Sequence, residues 1–293
     1  LRRDAVADPA GGHRRRVSWI NQTQFFDSMG NLQALFRLDD NLVETLAVYD
    51  PSSGNLLQRA QIDFGDIRNW ESRGETFDAT GAVAERITQK DNGVLVTETF
   101  EDGIRATQIR DDSRDDVRNW DTIEEVFDAA GKIDMRIVAL DDGRQTTTEF
   151  EAGVRQRQVE TDALDAKAWS SRETFYDENG KRASSEEVRD NGVVKTTRWE
   201  DGILQERTVS DLQDAFEWTE RSEQRDEAGG LVSRKQIWDN GIEATTVFED
   251  GVRAQRVEVD TLDVRGWAER ISTYDAEGNF VSRIEIPDVF DLV

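Results

Sequence analysis

The chain has 293 residues, with 62 acidic against 37 basic residues and a formal net charge of −25. Only 36% of the residues are hydrophobic, 34% are charged, and there is one histidine and no cysteine. An ordinary domain is about 45–50% apolar, so this composition does not predict a compact two-layer globule. The acidity disfavours nucleic acid and anionic membrane surfaces as partners. The lack of cysteine excludes thiolate zinc sites and thiol catalysis.

The first 18 residues differ in composition from the rest, because they carry five arginines against two aspartates. We expect residues 1–18 to form a basic tail or linker. The chain begins at Leu1 without an initiator methionine, which indicates a fragment or a processed product. No apolar run approaches 18 residues, so the sequence predicts no membrane insertion.

The rest of the chain is a tandem repeat of about 49 residues. Each copy starts at a tryptophan, and an aspartate and a glycine follow eight and eleven residues later. The tryptophans are Trp19, Trp70, Trp120, Trp169, Trp218 and Trp267. We divide residues 19–293 into the complete copies 19–69, 70–119, 120–168, 169–217 and 218–266 and the half copy 267–293.

Turn chemistry predicts four strands in each complete copy. The Asp-x-x-Gly after the first segment is typical of a type I turn with a bulge. A second turn, such as Asp91-Asn92-Gly93, places Asn-Gly at the centre of a two-residue hairpin, and a third does the same with Asp102-Gly103. The segments between these turns are rich in Thr, Val and Ile, which favour strands.

An acidic connector of about eight to ten residues follows the fourth strand of each copy, and in four copies its pattern is Asp-x-x-Asp-x-x-x-Trp. In copy 70–119 Asp116 holds the second position, and Ser113 follows Asp112 at the first. We expect the connector to carry the chain to the next four-stranded copy, with an Asp capping one helical turn. Its carboxylates are also candidate calcium ligands, since calcium takes six to eight oxygen ligands. The candidates are Asp63, Asp66, Asp162, Asp165, Asp211, Asp214, Asp260 and Asp263. The alternative is that these residues form turns and caps, with no cofactor bound.

The sequence therefore predicts an all-β fold, a linear array of four-stranded antiparallel meanders that forms an elongated sheet or an open solenoid. The alternative is a β-propeller of five or six blades, since four strands per copy is also the size of a blade. Strands such as 144–150 offer one large apolar side chain, which is too few for the buried blades of a propeller. The regularly spaced tryptophans would form a thin apolar core.

Two further tryptophans, Trp199 and Trp238, lie inside predicted strands and away from the tryptophans that start the copies. We predict them as ligand-binding residues, because an exposed indole can stack on a sugar. A catalytic site would need a cluster of reactive residues outside the repeat pattern, and the sequence shows none. We therefore expect no enzyme activity and assign no catalytic residues.

Two stretches carry a resemblance to known repeats. The copies WESRGETFDATGAVAERITQKDNGVLVTETFEDGIRATQIRDD and WAERISTYDAEGNFVSRIEI resemble acidic tandem repeats of large secreted alphaproteobacterial proteins of the RTX kind. The segment Tyr274–Asn279 is similar to the YD repeats of RHS-type shells, and the ending Asp288–Val293 is similar to that of some type I secretion substrates. The resemblance implies an extracellular or cell-surface location. The glycine-rich GGxGxD calcium motif is absent, so the calcium roll of that family is not implied.

The function expected from these features is that of an extracellular structural protein, such as a spacer, an adhesin segment or a filament subunit. Its partners would be neighbouring repeats or further copies of itself. The alternative is a cell-surface module that binds glycan or calcium.

Overall fold

The computed structural model describes residues 19–112 and 118–288. The chain divides into two compact units. The N-terminal unit contains Leu1–Arg118 and Ala129–Gly131, and the C-terminal unit contains Asn119–Asp128 and Lys132–Val293. The predicted tail 1–18, the connector position Asp116 and residues 289–293 lie outside the described residues.

All regular elements in the described ranges are strands, and no helix occurs there. The N-terminal unit contains β1 (Trp19–Phe26), β2 (Leu32–Asp39), β3 (Val43–Tyr49), β4 (Leu56–Asp63), β5 (Trp70–Phe77), β6 (Val83–Lys90), β7 (Leu95–Glu101) and β8 (Ile104–Asp111). The C-terminal unit contains β9 (Trp120–Phe127), β10 (Ile133–Leu140), β11 (Arg144–Glu151), β12 (Val154–Asp162), β13 (Trp169–Tyr176), β14 (Arg182–Arg189), β15 (Val193–Glu200), β16 (Ile203–Asp211), β17 (Trp218–Arg225), β18 (Leu231–Trp238), β19 (Ile242–Glu249), β20 (Val252–Asp260), β21 (Glu269–Tyr274) and β22 (Phe280–Ile286). Within these ranges, no helix is long and apolar enough to span a membrane.

Within each unit, every strand pairs antiparallel with the next strand along the chain. No pairing among the described strands joins the last strand of a unit to its first, so each sheet is unclosed. The prediction of an all-β array of antiparallel four-stranded repeats is confirmed.

Pairing also continues past the connectors, as the elongated-sheet form of the prediction requires. The fourth strand of a copy pairs directly with the first strand of the next, as in β4 with β5 and β12 with β13. The expected helical turn is absent from the described connectors, and the prediction of one was wrong. Each connector that the structure describes in full is instead a wide hairpin loop, because the two strands that it joins are neighbours.

The turns follow the sequence in two of the three positions. In the first turn, Asp78 Oδ1 accepts hydrogen bonds from the Thr80 and Ala82 amides at 2.8 and 3.0 Å, and Gly81 has φ +87°. This is the predicted type I turn with a bulge. In the third turn, Asp102 and Gly103 both have positive φ, of 51° and 79°, as a two-residue hairpin loop requires.

The second turn differs from its prediction. The Gly93 amide donates to the Lys90 carbonyl at 3.1 Å, so Asp91 and Asn92 are the central residues and Gly93 forms a bulge after them. Positive φ in this loop is confined to Gly93. The two-residue Asn-Gly prediction was therefore wrong, because the loop has three residues and Asn92 accepts the Val94 amide at 3.4 Å instead of entering the left-handed region.

The sheet has two unlike faces, and the more buried one carries paired charges. In the N-terminal unit, Arg59, Glu75, Arg86 and Glu98 lie opposite one another on β4 to β7. We call the face that bears this row the ladder face. Glu75 is 5% exposed and accepts hydrogen bonds from Arg59 Nε and Arg86 Nε, both at 2.8 Å. Burial raises the pKa of Glu75, but its bonds to the two arginines outweigh burial and hold the pKa below the ordinary value.

Four of the repeated tryptophans are covered by an arginine three residues later. The guanidinium carbon lies 4.4–5.2 Å from the indole centroid in Trp70–Arg73, Trp169–Arg172, Trp218–Arg221 and Trp267–Arg270. These four indoles are buried. A register shift just after the tryptophan, seen at Trp70, Trp169 and Trp218, brings the arginine onto the same face. The prediction of a tryptophan core is confirmed, and cation–π contact is part of that core.

In the last three complete copies, the second turn also supports the connector that follows. The side chains of Leu164, Gln213 and Leu262 pack on Gly143, Gly192 and Gly241 respectively. A Cβ at Gly241 would lie 2.3 Å from Leu262 Cγ and 2.7 Å from Leu262 Cβ. Glycine is therefore needed here for space as well as for its positive φ of 79°.

We predict that Gly241→Ala destabilises the protein more than Gly251→Ala. Both residues have φ 79°, but no atom lies within 4 Å of a Cβ at Gly251. The left-handed backbone costs about 1–2 kcal/mol in both variants, and displacement of Leu262 adds about 1–3 kcal/mol in Gly241→Ala. Denaturant unfolding measures both, and equal losses would contradict the packing argument.

Candidate functional sites

The predicted calcium ligands lie in the connectors, where the first aspartate of each connector caps the loop. Its carboxylate accepts the backbone amide five residues later, at 2.5–2.6 Å. These pairs are Asp63–Arg68, Asp162–Lys167, Asp211–Phe216 and Asp260–Arg265. The equivalent Asp112, which is 1% exposed, accepts the Arg118 amide at 2.5 Å. These contacts give the first aspartates a structural role.

The second aspartate of each connector has a left-handed backbone. Its φ is 49–58° in Asp66, Asp165, Asp214 and Asp263. Aspartate tolerates this region better than most residues other than glycine. The alternative reading, in which the connector aspartates form turns and caps, thus accounts for both positions.

The connectors and the second turns lie at the same end of the strands, and several carboxylates are close to one another there. Burial raises the pKa of Asp239, and the charges of Asp214, Asp211 and Glu217 raise it further. Burial likewise raises the pKa of Asp190, and Asp165 and Asp162 add to that effect. In the described part of the chain, no three or more His, Asp or Glu side chains are grouped to hold a metal ion. The structure thus brings these carboxylates into electrostatic contact without forming a coordination site.

We predict opposite effects on the melting temperature from two Asp→Asn changes. The pKa of Asp239 is raised, so its carboxylate destabilises the folded state at pH 7, and Asp239→Asn should raise Tm. That gain should vanish as the pH falls through the folded pKa, where Asp239 is protonated. The pKa of Asp275 is lowered by hydrogen bonds from Asn279, so Asp275→Asn should lower Tm at pH 7. That loss should start to shrink below about pH 4 and vanish as the pH falls through the lowered folded pKa. Calorimetry between about pH 2 and 7 tests both, and shifts of the same sign at pH 7 would contradict the account.

The predicted ligand-binding tryptophans are half-buried. The Arg182 guanidinium lies 5.1 Å from the Trp199 ring centroid, so it covers one face of that ring. Trp238 lies opposite the buried Trp218 in the β17–β18 pairing. The structure therefore does not bring Trp199 and Trp238 together, since they lie on β15 and β18. Their role in binding stays a prediction.

A depression of about 350 Å³ in the C-terminal unit is lined by aromatic and cationic groups, including Phe216, Trp218, Arg189 and Arg221. Phe216 stacks on Trp218 with ring centroids 5.4 Å apart, and Arg221 lies 4.5 Å from the Trp218 centroid. Because the Trp218 ring already has these two partners, its faces are engaged in packing.

The face opposite the ladder face is a surface that the sequence reasoning missed. In the N-terminal unit it carries Leu46, Ala60, Gly74 and Ile87 side by side on β3 to β6. We call it the open face. Leu46 and Ile87 are 43% and 42% exposed. The sequence signal for this surface was Gly74, because glycine is uncommon inside a strand and Gly74 lies in the middle of β5.

Comparisons with known proteins identify no family. No protein-family model matches the chain, and no curated protein matches it. Among solved structures, the β-propeller domain of Cps50 (Swd1) from Myceliophteria thermophila is similar at 10% identity and a TM-score of 0.18, covering 83% of this chain and 98% of that one. Saccharomyces cerevisiae Sqt1 is similar at 10% identity and a TM-score of 0.17, covering 87% and 93%. Such low TM-scores carry no argument about function.

Proposed function

We propose that this chain is a structural β-repeat protein of the cell exterior, serving as a spacer, an adhesin segment or a filament subunit without catalytic activity. The observation that carries the proposal is what the repeated residues do. The first connector aspartate caps a loop, the Asp-x-x-Gly forms a turn, and the tryptophan packs under arginine. The recurring residues thus stabilise the sheet, as expected of a structural protein whose repeats extend it.

Self-association is supported by the outer strands. Among the described strands, β1 pairs only with β2 and β22 only with β21. All seven residues of β22 are exposed, including Val281 at 60% and Ile284 at 61%. An unpaired strand edge presents backbone donors and acceptors to another chain. The net charge of −25 keeps separate chains soluble and opposes contact elsewhere.

We predict that purified protein associates in a concentration-dependent way and that Val281→Lys weakens this association. A lysine on an edge strand blocks edge pairing, since its charge must be desolvated on contact. Val232→Lys is the matched control, because Val232 is 40% exposed but lies on the interior strand β18. Sedimentation velocity and electron microscopy provide the measurement. A strictly monomeric species at every concentration would contradict the proposal.

The location outside the cell rests on the sequence resemblance to RTX-type repeats. We expect the protein in the culture supernatant or in the surface fraction of the producing cell. Immunoblotting of cell fractions tests this, and an exclusively intracellular signal would overturn it.

A binding module for calcium or glycan is the second candidate. The like charges around Asp239 favour calcium, because a cation would relieve their repulsion. Calcium should then raise Tm, and Asp239→Asn should remove that rise; an identical Tm with calcium and with chelator excludes it. For glycan, Trp199→Ala and Trp238→Ala should lose binding on an array.

A further inference from the structure

We propose that the open face of the N-terminal unit is the contact surface between two copies of this chain, packed sheet on sheet. The inference rests on the proposed self-association and adds the surface that carries it. It concerns a face of the sheet and is independent of the strand edges discussed above.

The register shows how little charge this face carries. Three rows of residues cross β1 to β8 on the open face. Among their positions, Glu44, Glu85 and Asp111 are the charged residues. The apolar positions are Phe25, Ala34, Phe36, Leu38, Leu46, Val48, Ala60, Ile62, Ile87, Leu95 and Ile109. Five of these side chains, Phe25, Leu46, Ile62, Ile87 and Ile109, are exposed by 38–53%.

The matching row in the C-terminal unit is different. Glu173 lies opposite Glu186, and Ser222 lies opposite Lys235. Glu124 occupies the same position on β9. The same row is apolar again at its far end, where Val257, Ile271 and Ile284 lie side by side on β20 to β22. Charged and polar side chains interrupt it between these strands and β9, so an apolar surface eight strands wide occurs on the open face of the N-terminal unit.

The centre of the open face is shaped as a trough. Ala60 and Gly74 lie side by side between Leu46 and Ile87, and no heavy atom lies within 4 Å of a Cβ at Gly74. Together with neighbouring side chains they line a depression of about 260 Å³. A glycine inside a strand weakens the strand and often marks the close approach of another surface.

The size of the surface fits a dimer. Strands lie about 4.8 Å apart, and residues rise about 3.4 Å along them. Because every second residue points to the same face, each position on that face covers about 4.8 by 6.8 Å, or about 33 Å². Three positions on each of eight strands then span about 780 Å², which matches the roughly 800 Å² that each partner gives to a standard interface.

A second copy is the occupant that the shape and charge favour. Two chains of charge −25 repel each other, and this face lets them meet with few carboxylates in between. The ridge at Ile87 adjoins the trough, so a two-fold axis along the strands between β5 and β6 places Ile87 of each copy over the Ala60–Gly74 trough of the other. The contact is then isologous, as in most homodimers.

Gly74→Glu tests this contact without threatening the fold. The chain itself carries glutamate at the equivalent positions Glu124 and Glu173. The new carboxylate would fill the trough and would be buried unpaired, so we expect the dimer dissociation constant to rise about a hundredfold. Ser222→Glu is the matched control on β17, and it should leave that constant within about twofold. Sedimentation equilibrium measures both, with circular dichroism melts to establish folding.

A proximity test uses the absence of cysteine from the chain. Copies with Ile87→Cys are mixed with copies with Ala60→Cys and treated with a short bis-maleimide, whose span suits sheets packed about 10 Å apart. In the control, the Ala60→Cys copies are replaced by Thr196→Cys copies, since Thr196 lies on β15 of the C-terminal unit. We expect more cross-linked heterodimer from the Ile87→Cys and Ala60→Cys mixture than from this control.

The outcomes separate this inference from the proposed function. A dimer that resists Gly74→Glu, or equal cross-linking of the Thr196→Cys copies, overturns the open-face contact. Association that is lost with Val281→Lys and unaffected by Gly74→Glu leaves the structural proposal in place and removes this inference. A protein that is monomeric throughout removes both.

Discussion

Strand pairing that continues through the connectors is the constraint on which the rest of the structure depends. Because β4 pairs with β5 in register, Arg59 lies opposite Glu75 although the two belong to different copies. Rows of side chains therefore cross copy boundaries within each unit. The two faces, the ladder of charges and the apolar trough are all consequences of this shared register.

The ladder face explains how a chain with so little hydrocarbon forms a sheet. Buried Glu75 and Glu98 are satisfied by arginines on neighbouring strands, with Arg105 Nη2 2.7 Å from Glu98 Oε1. Elsewhere on the same face, buried Thr148, Thr197 and Thr246 occupy the third strand of later copies. Long arginine stems also cover the tryptophans. Burial here depends on paired polar groups, so a lost partner costs more than an exposed ion pair would.

The sequence was sufficient for what each copy specifies locally. Four strands, the first turn with its bulge and the Asp-Gly turn follow from residues that touch their chain neighbours. Four of the six repeated tryptophans were also correctly assigned to a core, and Trp19 and Trp120 are half-buried. The regular spacing supports these predictions, because the same residues recur at the same positions in successive copies.

The two errors were local: the connector holds no helical turn, and the Asn-Gly turn has three loop residues, with Asn92 bonded to the Val94 amide. What the sequence missed depends on distant partners. The arginine over each tryptophan needs the register shift that brings residue i+3 onto the same face. The open face needs the register of eight strands at once. The Trp-x-x-Arg spacing and Gly74 were visible signals for the last two.

Amide hydrogen exchange across the connectors tests the continuity of pairing most directly. If β12 and β13 are neighbours, as Val159 opposite Glu173 shows, amides on both strands should exchange as slowly as those of β14 and β15. The same protection should appear on both sides of the β16–β17 and β20–β21 connectors. Fast exchange of alternate amides along β12 and β13, with protection only inside each four-stranded copy, would show separate sheets and contradict this account.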